Sequence, residues 1–359
     1  MIAALDGIRV IDFTTLLPGP LATLMMAECG ADVVKIERPG TGDEMREYGP
    51  YVNGQSVPFM QLNRGKRSLT LDLKCREGVE RALSLAKEAD ILIEQFRPGV
   101  MEALGLGYEA IKRINPEIIY CSITGYGQEG SHARIAGHDL NYAASAGLLL
   151  LNIGEGEKPV LPHVPLADIA GGSYPALFNI LLALRRRSAG GGGMHIDISM
   201  THGLAPLMYG AMARLEAPHS QDERVFSGGS PRYQIYTTSD QQYFAVAAVE
   251  DRFWRTFCAL AKIDLDADIE TVSKRISQEP LQYWVDTFEG VDVCCSQVRS
   301  VAEYQSSGLF SATGRSVELA GAQVNELPLP LSMDLRVADK VKPAPVIEGR
   351  EQVLNWLER

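Results

Sequence analysis

Three side chains in this 359-residue chain have the types and settings for acid–base or nucleophilic work: His138, Asp168 and Glu250. His138 lies in Gly137-His138-Asp139-Leu140-Asn141-Tyr142, where Asp139 reads as the N-cap of a helix running through Ala143 and Ala146. That leaves His138 at a loop-to-helix junction. One ring nitrogen can then face a cleft while a neighbour fixes the other, as a general base requires. The same setting also suits a histidine that only hydrogen-bonds its turn. Asp168 stands in Leu166-Ala167-Asp168-Ile169-Ala170-Gly171-Gly172-Ser173, just ahead of a long helix. Taken alone it is an N-cap. Two glycines in a first turn weaken a helix start, however, unless something must approach the backbone closely. Free amides there would stabilise an oxyanion, which makes Asp168 a candidate acid, base or nucleophile. Glu250 opens Glu250-Asp251-Arg252-Phe253-Trp254 after an apolar strand, a common place for an acid in a first helical turn.

Cations gather in the first hundred residues: Lys35, Arg38, Arg64, Lys66, Arg67, Lys74 and Arg97, mostly just after predicted strands. In a parallel sheet those strand ends share one edge, where ligands bind. Asn63-Arg64-Gly65-Lys66-Arg67-Ser68 and Phe96-Arg97-Pro98-Gly99 pair cations with turn chemistry suited to gripping phosphate.

The elements that position these groups alternate. Ile8–Phe13, Asp32–Ile36, Ile91–Glu94 and Glu117–Ile123 read as strands, separated by helices at Pro20–Cys29 and Arg76–Lys87. The pattern predicts an α/β fold with a mostly parallel sheet. A long helix at Ala170–Arg187 stops at the glycine run 190–193, and His195–Ser199 resumes as a strand. Beyond residue 215 a hairpin (Tyr233–Thr237 and Tyr243–Val249) precedes a helix at Asp251–Lys262, so residues 222–312 read as a smaller α+β domain. A short helix at Glu351–Leu357 closes the chain. Gly125-Tyr126-Gly127-Gln128-Glu129-Gly130 matches G-x-G-x-x-G, but no helical period follows it, so a dinucleotide site is rejected.

Composition narrows the function classes. With 46% hydrophobic and 22% charged residues the chain is globular. A formal net charge of −11 argues against nucleic acid as a partner, since phosphate backbones need a broad basic face. The N-terminus is a poor signal peptide, and the most apolar stretch, Ala176–Leu184, is too short to span a bilayer. The six cysteines show no CxxC spacing, so neither a metal site nor disulfides are expected. The reading is a cytoplasmic protein with buried reduced thiols.

Pro18-Gly19-Pro20, the 30–37 segment Gly-Ala-Asp-Val-Val-Lys-Ile-Glu, the Asn63–Ser68 and Phe96–Gly99 runs, the Gly137–Tyr142 run and the Asp168 segment occur in that order. Together they resemble the family III CoA-transferases (CaiB/BaiF), the group that includes the α-methylacyl-CoA racemases. The resemblance implies a Rossmann-like large domain over 1–187 and 320–359, a linker at 188–221, the small domain at 222–312 and a return linker at 313–319. It also implies an interlocked homodimer and no tightly bound cofactor, with coenzyme A entering as part of an acyl-CoA substrate. By position, Arg38, Leu71, Asp72, Leu73, Lys74, Gln95, Phe96, Arg97, Gly137, Asp139, Asn141 and Tyr142 would line the CoA site. In the racemases, residues matching His138 and Asp168 exchange protons on opposite faces of the thioester α-carbon, and one matching Glu250 orients the histidine. In the transferases, the aspartate matching Asp168 is a nucleophile that passes through an aspartyl-CoA thioester. The presence of all three residues favours the racemase.

Overall fold

Runs of β-branched residues with no polar face must be buried on both sides, and helices are what cover them. The computed structural model describes residues 3–153, 158–217, 225–311, 315–319, 321–337 and 343–345. It contains six such strands: β1 Arg9–Asp12, β2 Asp32–Glu37, β3 Arg67–Thr70, β4 Ile91–Glu94, β5 Ile119–Thr124 and β6 Met194–Ser199. They pair in parallel in the order β3-β2-β1-β4-β5-β6. This is the doubly wound Rossmann order, whose direction reverses between β1 and β4.

Alternate side chains feed two cores. Val10, Ile93, Cys121 and Ile198 face α1 (Pro18–Glu28) and α6 (Tyr174–Arg186), which contribute Ala22, Met26, Ala176 and Ile180. Ile11, Val34, Leu92 and Tyr120 face α3 (Arg76–Glu88) and α4 (Tyr108–Ile114), which contribute Ala82, Leu85 and Ile111. Between them lie α2 (Val57–Asn63) and α5 (Asp139–Ala146).

Several sequence expectations need correction. β3 lies inside a run read as a phosphate-gripping turn; Leu69 is buried at 1% exposure, and that anchors an otherwise polar strand to the core. Residues 194–199 of the expected linker are a sheet strand, because Ile196 and Ile198 bury themselves against the core. The stretch read as too short for a bilayer belongs to a continuous helix over Ala167–Gly191, which by length and composition alone could cross one. Burial of Ala176, Ile180 and Ala183 shows it packed against the sheet as a core helix. Cys75 is exposed rather than buried, and all six thiols are free. The helix expected at Glu351–Leu357 lies outside the described residues.

The chain divides into two compact units, Met1–Tyr209 with Gly314–Arg359, and Gly210–Thr313. The second has an antiparallel sheet of β7 (Gln234–Thr237), β8 (Tyr243–Val246) and β9 (Cys295–Gln297), with β8 in the middle. Helices α7 (Asp251–Ala261), α8 (Ile269–Ile276) and α9 (Leu281–Phe288) supply Trp254, Phe257, Trp284 and Phe288 to its core. Each indole N–H finds a carbonyl, Trp254 on Leu265 and Trp284 on Ile276, so neither ring buries an unsatisfied donor.

Candidate active site

Where the sheet order reverses, the chain leaves β1 toward one face and β4 toward the other, and a crevice must open. Gln95, just past β4, spans it. Its Nε2 donates to the Thr15 carbonyl at 2.7 Å and its Oε1 accepts from the Gly19 amide at 3.2 Å. The loop after β1 is also held from below by buried charge. Asp12 accepts from Thr14 and Thr23 hydroxyls and from Lys66 Nζ at 3.2 Å. Burial alone would raise the Asp12 carboxyl, but Lys66, Lys35 and the two hydroxyls outweigh it and hold it at about 2. Lys35 Nζ donates to the Thr14 carbonyl at 2.7 Å and pairs with Asp43 at 2.8 Å; Asp43 in turn accepts from the Leu16 amide. Leu16 sits in the left-handed region at φ 59°, and these contacts supply the over-determination such a residue needs.

Above this floor is a cleft of about 460 Å³. Leu16 and Pro18 form one wall, Gln95, Phe96 and Arg97 a second, Thr124 and Gly125 the base, and Gly137, His138, Asn141, Tyr142, Asp168 and Met200 the rest. The 95–97 turn is fixed by Glu94, which accepts from the Phe96 amide at 2.8 Å; burial pushes its carboxyl up to about 7. Arg97 is exposed and has no ion pair among the described residues, so it is available to an anion.

His138 is itself the N-cap of α5, in extended conformation, and its amide donates to Asn141 Oδ1 at 3.1 Å. Asp139 is therefore the first helical residue rather than the cap. Its carboxylate is used elsewhere: Oδ1 accepts from the Asp168 amide at 2.9 Å, which ties the two catalytic segments together. Asp168 lies within the first turn of a π-helical segment, Ala167–Ser173, that runs into α6, and so it is not an N-cap either. Burial, and then the neighbouring Asp139 charge, push its carboxyl up to about 6. Tyr142 donates to the Gly137 carbonyl, and burial, with Asp168 next, pushes its phenol up to about 12.

Glycine positions explain why the rings and helices can close in. A Cβ at Gly125 would lie 2.1 Å from the Tyr142 ring. One at Gly171 would lie 2.2 Å from the Met200 carbonyl oxygen, so close approach is what the helix-start glycines serve. The approaching group is the chain itself, not a ligand. The expected free amides are also occupied, Asp168 by Asp139 and Ile169 by the Pro165 carbonyl.

Of the sequence-predicted residues, the cleft gathers His138, Asp168, Gln95, Phe96, Arg97, Gly137, Asn141 and Tyr142. Arg38 instead engages Thr41 and Glu44, and Leu71–Lys74 lead from β3 into α3. Glu250 belongs to the second unit, where it is the exposed N-cap of α7. The phosphate-gripping reading of Asn63–Ser68 fails. Arg64 is fully buried on Glu28 (2.9 Å) and Glu326 (3.4 Å), Lys66 is buried on Asp12, and Arg67 pairs with Asp32 at 2.7 Å. Lys35 is likewise buried on Asp43. Leu16, Thr124 and Met200, which the sequence reading missed, carry no motif and reach the cleft only through strand-end geometry. Among the described residues no group of three or more His, Cys, Asp or Glu is arranged to hold a metal ion.

A family model described as CoA-transferase family III matches residues 5–350. The chain belongs to that family. It is 33% identical over 370 residues to human "Alpha-methylacyl-CoA racemase", covering 98% of this chain and 93% of that one. It is also 31% identical over 346 residues to mouse "Succinyl-CoA:glutarate CoA-transferase", covering 91% and 79%. The crystal structure of a CAIB/BAIF family protein from Brucella suis superposes with a TM-score of 0.81 at 30% identity, covering 97% of each chain. The Rossmann-like family fold is thus shared along the whole length. The chain is an enzyme of the family III CoA-transferase and racemase superfamily, whose members use acyl-CoA substrates.

Proposed function

We propose that the protein is an acyl-CoA racemase that inverts the α-carbon of 2-methyl-branched acyl-CoA thioesters by 1,1-proton transfer through an enolate. The observation that carries this reading is that His138 and a carboxyl with a pKa of about 6, Asp168, line one cleft. A group near neutrality can both take and return a proton, which a reversible inversion demands of each base. In one direction the imidazole removes the α-proton, the electron pair passes to the thioester oxygen, and protonated Asp168 delivers a proton to the opposite face. The reverse direction exchanges the roles, so no proton is gained or lost. The N-terminal dipole of α5, capped by His138, favours the enolate charge. Glu250 is proposed to orient the histidine, and Arg97 to meet CoA phosphate.

The second reading is a CoA-transferase with Asp168 as nucleophile, favoured by the similar identity to a transferase relative. Incubation with a 2-methylacyl-CoA in heavy water separates the two. Deuterium entering the α-position without any acceptor acid supports the racemase. No exchange, together with a hydroxylamine-trappable acyl-enzyme that Asp168→Ala removes, overturns it. We further propose a cytoplasmic homodimer, supported by the exposed stripe Tyr174, Phe178, Leu181 and Leu182 on α6.

A further inference from the structure

The reacting carbon of a thioester has CoA on one side and the acyl chain on the other, so a site built around His138 needs two outlets. One is the cleft described above. The other side of His138 opens into a separate cavity of about 340 Å³, within the size range of small-molecule pockets. Its walls are Leu140 and Ala143 of α5, Leu149, and the run Leu161, Val164 and Leu166 that leads into the Asp168 helix. No lysine or arginine lines it. Its one carboxylate, Asp139, is turned to the Asp168 amide. Leu161 and Val164 are more than half exposed, which is unfavourable for side chains of this type unless an apolar group covers them.

We infer that this cavity is an acyl-chain subsite selective for uncharged aliphatic chains, with Leu161 and Val164 as the residues that set chain length. The inference rests on the proposed acyl-CoA chemistry at His138. A dicarboxylic acyl group would have to strip water from its distal carboxylate here with no cation to receive it, which is strongly unfavourable. An alkyl chain loses nothing and exchanges water for Leu and Val side chains.

Unreactive S-alkyl thioethers of CoA test this without requiring turnover. Calorimetric affinities of the intact protein for CoA itself and for its two-, four-, six- and ten-carbon thioethers are compared. The expected result is a gain of about fourfold per methylene until the cavity is full. A terminal carboxylate on the six-carbon chain should cancel that gain. Leu161→Trp and Val164→Trp, which fill the cavity, should limit the gain to the shorter chains while CoA affinity stays within twofold. Flat affinity across chain length with CoA still bound overturns the subsite and leaves the proposed reaction standing. Failure to bind CoA at all overturns that reaction, and the subsite with it. If both Trp variants keep the full chain-length gain, the chain lies elsewhere. If instead they shift the sedimentation coefficient from one oligomeric state to another, a second copy covers this face and the subsite assignment is wrong.

Discussion

The Asp139 carboxylate holds the backbone amide of Asp168 at 2.9 Å, across 29 residues of sequence. The contact does two things at once. It fixes the start of the Asp168 helix against the residue that follows His138, and it places a second negative charge beside the Asp168 carboxyl. Burial is the larger cause of the rise to about 6, and the Asp139 charge adds to it.

Asp139→Asn should therefore separate position from charge. The asparagine oxygen can still accept the Asp168 amide, so the fold and cleft are retained. Loss of the charge should lower the Asp168 pKa from about 6 without returning it to an ordinary aspartate, because burial persists. In a pH profile of kcat/KM for α-proton exchange, the limb assigned to Asp168 should move to lower pH while CoA affinity holds. An unmoved limb would show that Asp139 acts only through the backbone.

A carboxyl raised by folding also bears on stability. Asp168 binds its proton more tightly in the folded than in the unfolded chain, so the folded state is favoured below the ordinary aspartate range. That advantage is lost as pH rises toward about 6. Above that window the ionised group is a net burden, as reactive groups in clefts often are. Asp168→Asn removes the burden. Its melting temperature should exceed that of the parent by about 2–4 °C at pH 8, where 1 kcal/mol moves a protein of this size about that far, and by nothing at pH 4. Equal gains at both pH values would exclude the charge as the cause.

How far the sequence foretold the site depended on whether a residue's partners were near it in the chain. The buried strands announced themselves through unbroken apolar runs, as at Ile91–Glu94, and the helix boundaries through capping and glycine signals. β3 did not, since in Arg67-Ser68-Leu69-Thr70 only Leu69 carries an apolar signal. His138, Asp168 and the Gln95–Arg97 turn were readable because each lies in a compact motif. The buried cations were misread for the opposite reason. Nothing near Lys66 in sequence shows that Asp12 awaits it 54 residues away, nor that Glu326 meets Arg64 from the C-terminal segment. A cation in a turn looks the same whether its anion is a ligand or a distant aspartate.

That distinction predicts opposite consequences for lysines and arginines that the sequence grouped together. Lys66→Met should leave Asp12 fully buried with much of its compensation gone, since Lys66 is the larger of the two cationic influences on it. Breaking one partner of a buried ion pair costs about 3–5 kcal/mol. Urea unfolding should show a loss of that order. Asp12→Asn in the Lys66→Met background should recover part of it, because the stranded charge is then removed. A loss under 1 kcal/mol for the single variant would mean that Lys66 is not the counter-ion it is taken to be.

Arg97→Ala should do the reverse. The side chain is exposed at the cleft wall and makes no ion pair among the described residues, so its removal should leave stability within about 0.5 kcal/mol. If Arg97 meets a CoA phosphate, as proposed, a charge-assisted hydrogen bond worth about 1.5–3 kcal/mol disappears, and CoA affinity should fall about 10- to 100-fold. The fall should shrink as salt rises, because screening weakens an exposed pair in the parent but has nothing left to screen in the variant. Dephospho-CoA, which lacks the ribose 3′-phosphate, adds a further discriminator. If Arg97 reads that phosphate, parent and variant should bind dephospho-CoA alike. If it reads the pyrophosphate, the variant should lose affinity for both ligands equally. Unchanged CoA affinity across the salt series would remove Arg97 from the binding site.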